Sequence, residues 1–225
     1  MISTLWLWFF IACIAIGYVC GMFLTADVVC RIVVHRSAFE VGDGNPGVAN
    51  IGHELGRGWA VVVLVGDCLK VVVATLVCWY FLDILLPLSA SLAGLGATLG
   101  HNFPAWHRFR GGKGVTTTCA AIVLAWPAAG VVACLAGLGT VVFGGYLCWG
   151  AVAITGVYEL FCILQLLMVP SVSLSAFVSA WTMLICATVL LGLMVAAHAP
   201  AIRGIRDGDT PRASLSQKVL RRRHP

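Results

Sequence analysis

The sequence predicts an all-α integral membrane protein, a seven-transmembrane-helix bundle whose polar loops lie on the cytoplasmic side. Three observations predict it. The chain of 225 residues is 60% hydrophobic and only 10% charged. Its apolar residues fall in runs close to the roughly 20 residues that a helix needs to cross about 30 Å of hydrocarbon. All 14 Lys and Arg residues except Lys70 fall in segments that follow alternate runs.

The first run, TLWLWFFIACIAIGYVCGMFL, lacks a basic leader and a small-residue cleavage site, so it reads as a retained span over residues 4–26 rather than a signal peptide. The other spans are expected over residues 59–81, 84–100, 114–127, 128–144, 146–168 and 174–197. Their breaks are the Asp83–Pro87 corner, Trp126–Pro127, Gly144–Gly145 and Pro170. From Val115 to Met168 the single charge is Glu159, so three spans share that stretch. The first of the three is short: at about 1.5 Å per residue it covers only about 21 Å, which leaves the loop before it partly sunk below the membrane surface. A β-barrel would show short alternating segments, which are absent. Most of the ten cysteines lie inside apolar runs, with no C-x-x-C pair, and are read as small packing residues rather than disulfides or metal ligands. The one-sided basic residues place their face in the cytoplasm and the N-terminus outside, in a cell membrane. Residues 1–212 read as one polytopic domain and 213–225 as a basic cytoplasmic tail, whose RRR suits lipid headgroups.

Four polar segments fall on that face: 41–58, 100–117, 144–150 and 198–212. In FRGGKGVTTT (109–118), Lys113 stands among Gly111, Gly112 and Gly114. A Walker A loop is excluded, because Gly114 follows the lysine where Ser or Thr is required. A helix beginning near Gly114 would still offer unpaired N–H groups, a positive dipole end and the Lys113 charge to an anion. GDGNPGVAN (42–50) is a second glycine-rich turn, readable as a binding loop or as plain loop closure. Asp67 and Lys70 are three apart on one helix face and read as a structural ion pair inside a span. Glu159 has no partner visible in the sequence.

These motifs resemble those of the bacterial acyl-phosphate:glycerol-3-phosphate acyltransferases over about residues 17 to 212. That family's G-S-G-N-P-G-A-T-N loop is matched by GDGNPGVAN, and its D-x-x-K by Asp67 and Lys70. Its G-H-x-F-P and F-x-G-G-K-G-V-A-T are matched by GHNFPAWHRFRGGKGVTT, and its closing H-R-x-N-I-x-R-L motif by HAPAIRGIRDGD. The resemblance implies a seven-span fold with cytoplasmic active-site loops and transfer of a fatty acyl group from acyl phosphate to glycerol 3-phosphate. It implies catalytic roles for Lys113, His198 and His53. It implies substrate-binding roles for Asp43, Gly44, Asn45, Gly47, Asn50, His101, Asn102, Gly111, Gly112 and Gly114.

The sequence also departs from the family. Its first-loop serine and threonine fall at Asp43 and Ala49, and its next arginine at His53. Its R-Y-x-S becomes Gly145 to Cys148, and its C-terminal asparagine falls at Ala201. The GGKG loop, expected to cradle the donor, is intact; the positions expected to hold the acceptor are altered. The alternative readings are therefore an acyl-phosphate-dependent transferase with a less anionic acceptor, or a catalytically inactive homologue that binds lipid or a partner. In chemical terms, phosphate leaves as a stable anion, so no enzyme nucleophile is needed, and either His53 or His198 serves to accept the hydroxyl proton. The partners expected are acyl phosphate, glycerol 3-phosphate or another small acceptor, membrane lipid and an enzyme that makes acyl phosphate. No cofactor, metal or nucleic acid is expected.

Overall fold

The computed structural model describes residues 2–82, 85–168 and 174–213. Parts of the expected Asp83–Pro87 corner, the Pro170 break and nearly all of the basic tail lie outside the described residues. Among the described residues every regular element is helical. The described residues form nine α-helices: α1 (Ile2–Gly21), α2 (Thr25–Val33), α3 (Val48–Glu54), α4 (Arg57–Phe81), α5 (Leu86–Asn102), α6 (Val115–Ala125), α7 (Pro127–Gly144), α8 (Leu147–Met168) and α9 (Leu174–Asp207). Short 3₁₀ turns occupy Ala38–Glu40 and Ala105–His107.

This is a helical integral membrane protein. Five helical segments are long and apolar enough to cross a membrane: Trp6–Val33, Arg57–Phe81, Pro127–Gly144, Leu147–Met168 and Leu174–Asp207. Their outward faces carry large apolar side chains such as Trp8, Tyr80 and Leu167. α5 and α6, with 17 and 11 residues, are shorter.

The chain divides into two compact units, Met1–Ala125 and Trp126–Pro225. The first is built around α5, which packs on α1, α4 and α6 and is buried from Leu88 to Asn102 except at Leu99. α5 is short of bulk because its neighbours come too close for it. A Cβ on Gly17 of α1 would collide with the Ala93 carbonyl oxygen, and one on Gly96 of α5 with that of Ile14. Small residues let the two backbones touch, as is usual where helices pair within a membrane. α1 ends at Gly21, where the chain packs on the backbone of Ala97 and then turns into α2, rather than running to residue 26.

In the second unit, α8 packs against both α7 and α9. Pro127 opens α7 directly after Trp126, where its missing N–H costs nothing. The expected Gly144–Gly150 link is only two residues long: α8 begins at Leu147, and Gly150 is buried within it against Val141. Glu159 finds a partner in α9, accepting from the Thr188 hydroxyl at 2.7 Å. The segment 198–212, expected as a loop, is mostly helix. α9 continues through Pro200 to Asp207, and the chain then folds back so that the Asp209 and Thr210 N–H groups donate to the Gly204 carbonyl. Thr210 Oγ1 donates to the Ala201 carbonyl at 2.6 Å, which satisfies one more carbonyl near this end.

Gly96→Leu is expected to destabilise the protein by about 3 kcal/mol or more, because the obstacle is backbone that cannot rotate away. Gly192→Ala, where an added Cβ meets nothing within 4 Å, is expected to leave stability unchanged or raise it slightly. Thermal melts of the two purified variants in detergent check both.

Candidate functional site

The first glycine-rich loop is held by one buried side chain. Asn50, at the start of α3, donates from Nδ2 to the Val41 carbonyl at 2.8 Å and to the Asn45 carbonyl at 3.0 Å. Its Oδ1 accepts the Asp43 N–H at 3.1 Å. Asn50 thus spends its polar atoms on the loop's own backbone, and losing any of them would strand a buried group at about 1–3 kcal/mol. Asp43 is exposed, and its carboxylate accepts the Asn45 N–H at 3.0 Å in an Asx turn. Gly44 donates its N–H to the Val41 carbonyl, and Gly47 donates to the Asn45 carbonyl before α3 begins.

A second anchor went unread in the sequence. Asp27 of α2 is 4% exposed and accepts from Arg31 Nε at 2.7 Å, the Ser37 hydroxyl at 2.6 Å and the Ala38 N–H at 2.9 Å. The four-residue spacing of Asp27 and Arg31 was the available signal. This anchor fixes the turn that leads into the first loop.

The GGKG loop is set by the last turn of α5. The Gly112 N–H donates to the His101 carbonyl at 3.0 Å. A Cβ on Gly112 would collide with His101 Nε2, and one on Gly114 with the Asn102 carboxamide oxygen. Gly114 also has φ +76°, a conformation that favours glycine. The start of α6 is braced by a hydroxyl chain in which Thr98 donates to Thr117 at 3.1 Å and Thr117 to the Gly114 carbonyl at 2.9 Å. The N–H groups of Val115, Thr116 and Thr117 have no earlier helical carbonyl to bond. Lys113, half-buried between these glycines, has no carboxylate or carbonyl partner among the described residues. The Gly112 N–H is thus already engaged by the His101 carbonyl.

His101 in turn rests on a buried ionic cluster. Lys70 Nζ lies 2.9 Å from Asp67 Oδ1, 2.8 Å from His101 Nδ1 and 3.0 Å from the Phe23 carbonyl oxygen. The Thr25 hydroxyl donates to the same Asp67 oxygen at 3.2 Å. The two loops adjoin through the ring of Phe39, 5.3 Å from that of His107. Between that ring and the glycines, Arg108 and Phe109 both hold left-handed φ values of 55° and 59°, the kind of strain that accumulates at functional turns.

The two candidate histidines are placed differently. His53 has its side chain 85% exposed and its Nδ1 2.7 Å from Glu54 Oε1. His198, in the second unit, is buried, and its Nδ1 donates to the Met194 carbonyl at 2.9 Å.

Fold and loops together define a class: a helical integral membrane protein carrying a glycine–lysine loop of the kind that suits an anion. The chain belongs to the glycerol-3-phosphate acyltransferase family, whose model matches residues 11–208. Among its relatives, glycerol-3-phosphate acyltransferase 1 of Lactobacillus johnsonii is 42% identical over 125 residues, 56% of this chain and 60% of that one. The glycerol-3-phosphate acyltransferase of Halorhodospira halophila is 41% identical over 113 residues, 50% of this chain and 56% of that one. The chain thus spans a little over half the length of these curated relatives. The crystal structure of PlsY, an integral membrane glycerol 3-phosphate acyltransferase, in its glycerol 3-phosphate form has the same fold. It covers 94% of this chain and 98% of its own with a TM-score of 0.75, at 23% identity.

Proposed function

We propose that this protein transfers a fatty acyl group from acyl phosphate to glycerol 3-phosphate, giving lysophosphatidic acid and free phosphate. The observation that carries the reading is Lys113: a half-buried cation without a protein counter-charge among the described residues, flanked by glycines at the start of α6. The activity printed for the relatives, and the family match across both compact units, support the same reading. On it, residues 1–212 work as one acyltransferase domain and 213–225 as a basic tail.

In the reaction the acceptor hydroxyl oxygen bonds to the acyl carbon, the carbon–oxygen bond to phosphate breaks, and phosphate departs with the electron pair. Lys113 and the N–H groups of Gly111, Lys113, Gly114 and Val115 hold the phosphoryl group and its growing charge. A histidine, His53 or His198, accepts the hydroxyl proton. Asn50 and Gly47 shape the first loop, and Gly44, Asn45 and Asp43 present it to the acceptor.

α1 and α4 to α9 make seven membrane crossings, with the N-terminus outside and the loops and C-terminus in the cytoplasm. The support is the one-sided distribution of every basic residue but Lys70. Membrane lipid and an acyl-phosphate-producing enzyme are the further partners. Reporter fusions after Pro87 and after Arg212 are expected on opposite sides of the membrane; the same side for both would end this topology.

A second reading, a less anionic acceptor, is favoured by one observation: the exposed Asp43 carboxylate on the first loop, which would repel phosphate. Wild-type turnover with glycerol 3-phosphate, against a panel of alcohols and amines, separates the two. If glycerol 3-phosphate is the acceptor, Asp43→Ser with His53→Arg is expected to lower its KM by removing a repelling charge and adding a phosphate partner. If it is not, the double variant is expected to gain a glycerol 3-phosphate activity that the parent lacked.

Lys113→Ala is expected to abolish turnover with any acceptor while the protein still folds and inserts. Loss of one charge-assisted contact costs on the order of 1.5–3 kcal/mol, and more once transition-state charge is counted. A radiolabel transfer assay measures this, and wild-type rates in the variant would remove the donor cradle.

A further inference from the structure

The Asp67–Lys70 pair has no role in the reaction as proposed, yet its geometry reaches the glycine loop. An ammonium group has three N–H donors and no acceptor. Lys70 has three acceptors around it: Asp67 Oδ1 at 2.9 Å, the Phe23 carbonyl oxygen at 3.0 Å and His101 Nδ1 at 2.8 Å. His101 Nδ1 must therefore offer its lone pair, and the neutral ring carries its single proton on Nε2. His101 is only 3% exposed, and its Nε2 edge stands against Gly112, where any Cβ would collide with it.

A second buried group points the same way. Asn102, 5% exposed, has a carboxamide oxygen without a hydrogen-bond partner, lying against Gly114. A carboxamide carries both an acceptor oxygen and an NH₂ donor, so rotation of this group turns a donor toward the loop. Two polar side chains from the last turn of α5 thus face the two glycines that flank Lys113. A buried carboxamide left unpartnered is costly unless something completes it.

We propose that the Asp67–Lys70 pair is a tautomer lock: it holds His101 with its proton on Nε2, and that N–H donates to the phosphoryl group held at the glycine loop. The inference rests on the reading of this loop as the phosphate site. Asp67 and Lys70 are positioning residues, acting through His101, and His101 is the residue that touches the ligand. A neutral N–H suits this place because it adds a donor beside Lys113 without adding a second positive charge.

The test uses two substitutions with opposite defects in the purified full chain. In His101→Asn the amide oxygen takes the place of Nδ1 and still accepts from Lys70, but the side chain is too short to reach Gly112. In His101→Gln an amide N–H takes the place of Nε2–H. The Asn variant is expected to fold and to raise KM for acyl phosphate about tenfold or more, as for loss of a charge-assisted hydrogen bond, with KM for glycerol 3-phosphate unchanged. The Gln variant is expected to recover most of that loss. Resonances of isotope-labelled histidine are expected to show the His101 proton on Nε2 in the wild type.

Thermal stabilisation by inorganic phosphate supplies a readout without turnover. It is expected in the wild type and in His101→Gln and lost in His101→Asn, so the contact can be judged even if no acceptor is ever turned over. Absence of turnover with this phosphate pattern intact would count against the acyltransferase reading and not against the contact. A wild-type KM and phosphate response in His101→Asn, equal defects in the two variants, a fall in kcat alone, or a proton on Nδ1 would each overturn the proposal.

Discussion

Everything in the first unit hangs on one ammonium group. Lys70 lies in the middle of a largely apolar helix, 5% exposed, where an unpaired charge would be prohibitive. It is tolerated because each of its three donors finds an acceptor, and each acceptor belongs to a different part of the fold. Asp67 is on its own helix, Phe23 sits in the break between α1 and α2, and His101 closes α5. One charge therefore ties α4 to the end of α1 and to the turn that starts the glycine loop. Removing Asp67, the one counter-charge in the cluster, would leave a buried charge uncompensated, at a cost of about 3–5 kcal/mol. The break after Gly21 and the charge in α4 solve each other's problem, since the carbonyl of Phe23 has left helical geometry and needs a donor.

The same economy explains why the central helix of this unit is so poor in large side chains. α5 is surrounded by α1, α4 and α6, and it approaches α1 at backbone contact through Gly17, Gly21, Gly96 and Gly100. Membrane helices gain little from burying bulk against one another, because lipid is as apolar as leucine, so close backbone packing takes over. The large apolar residues are left on outward faces such as Trp8 and Tyr80. The rigid α5 that results delivers His101, Asn102 and Thr98 to the loop with little freedom to move, and this places Gly112 and Gly114 to within the thickness of a side chain.

Helix positions were legible because apolar runs and breakers coincide. Trp126–Pro127 and Gly144–Gly145 both end or begin helices where the sequence suggests. Two boundaries were not legible. Met22, Phe23 and Leu24 continue an apolar run, so hydropathy does not show that α1 stops at Gly21. At the other end, Pro200 reads as a breaker, yet α9 passes through it and is finished by Gly204 and Thr210. In the site, the lysine among glycines was visible, as was the Asp67–Lys70 spacing. What was hidden was the consumption of polar groups by the fold itself: Asn50 by its own loop, Gly112 by His101, Glu159 by Thr188. Motifs tell which groups are present, and only geometry tells which are already in use.

That distinction bears on the altered acceptor positions. An aspartate in a phosphate-binding loop looks like a hostile change when judged by charge alone. Here one Asp43 oxygen accepts the Asn45 N–H, a turn-closing role that a serine hydroxyl fills in the same way, though more weakly. The substitution therefore preserves the shape of the loop, and Asn50 holds that shape from beneath with three bonds of its own. The second Asp43 oxygen and its negative charge remain exposed to solvent. A charge in solvent is screened within about 10 Å at ordinary ionic strength, so its penalty on an incoming phosphate is modest unless the ligand sits against it. Loop geometry thus separates two effects of Asp43: it closes the turn, and it adds an exposed negative charge.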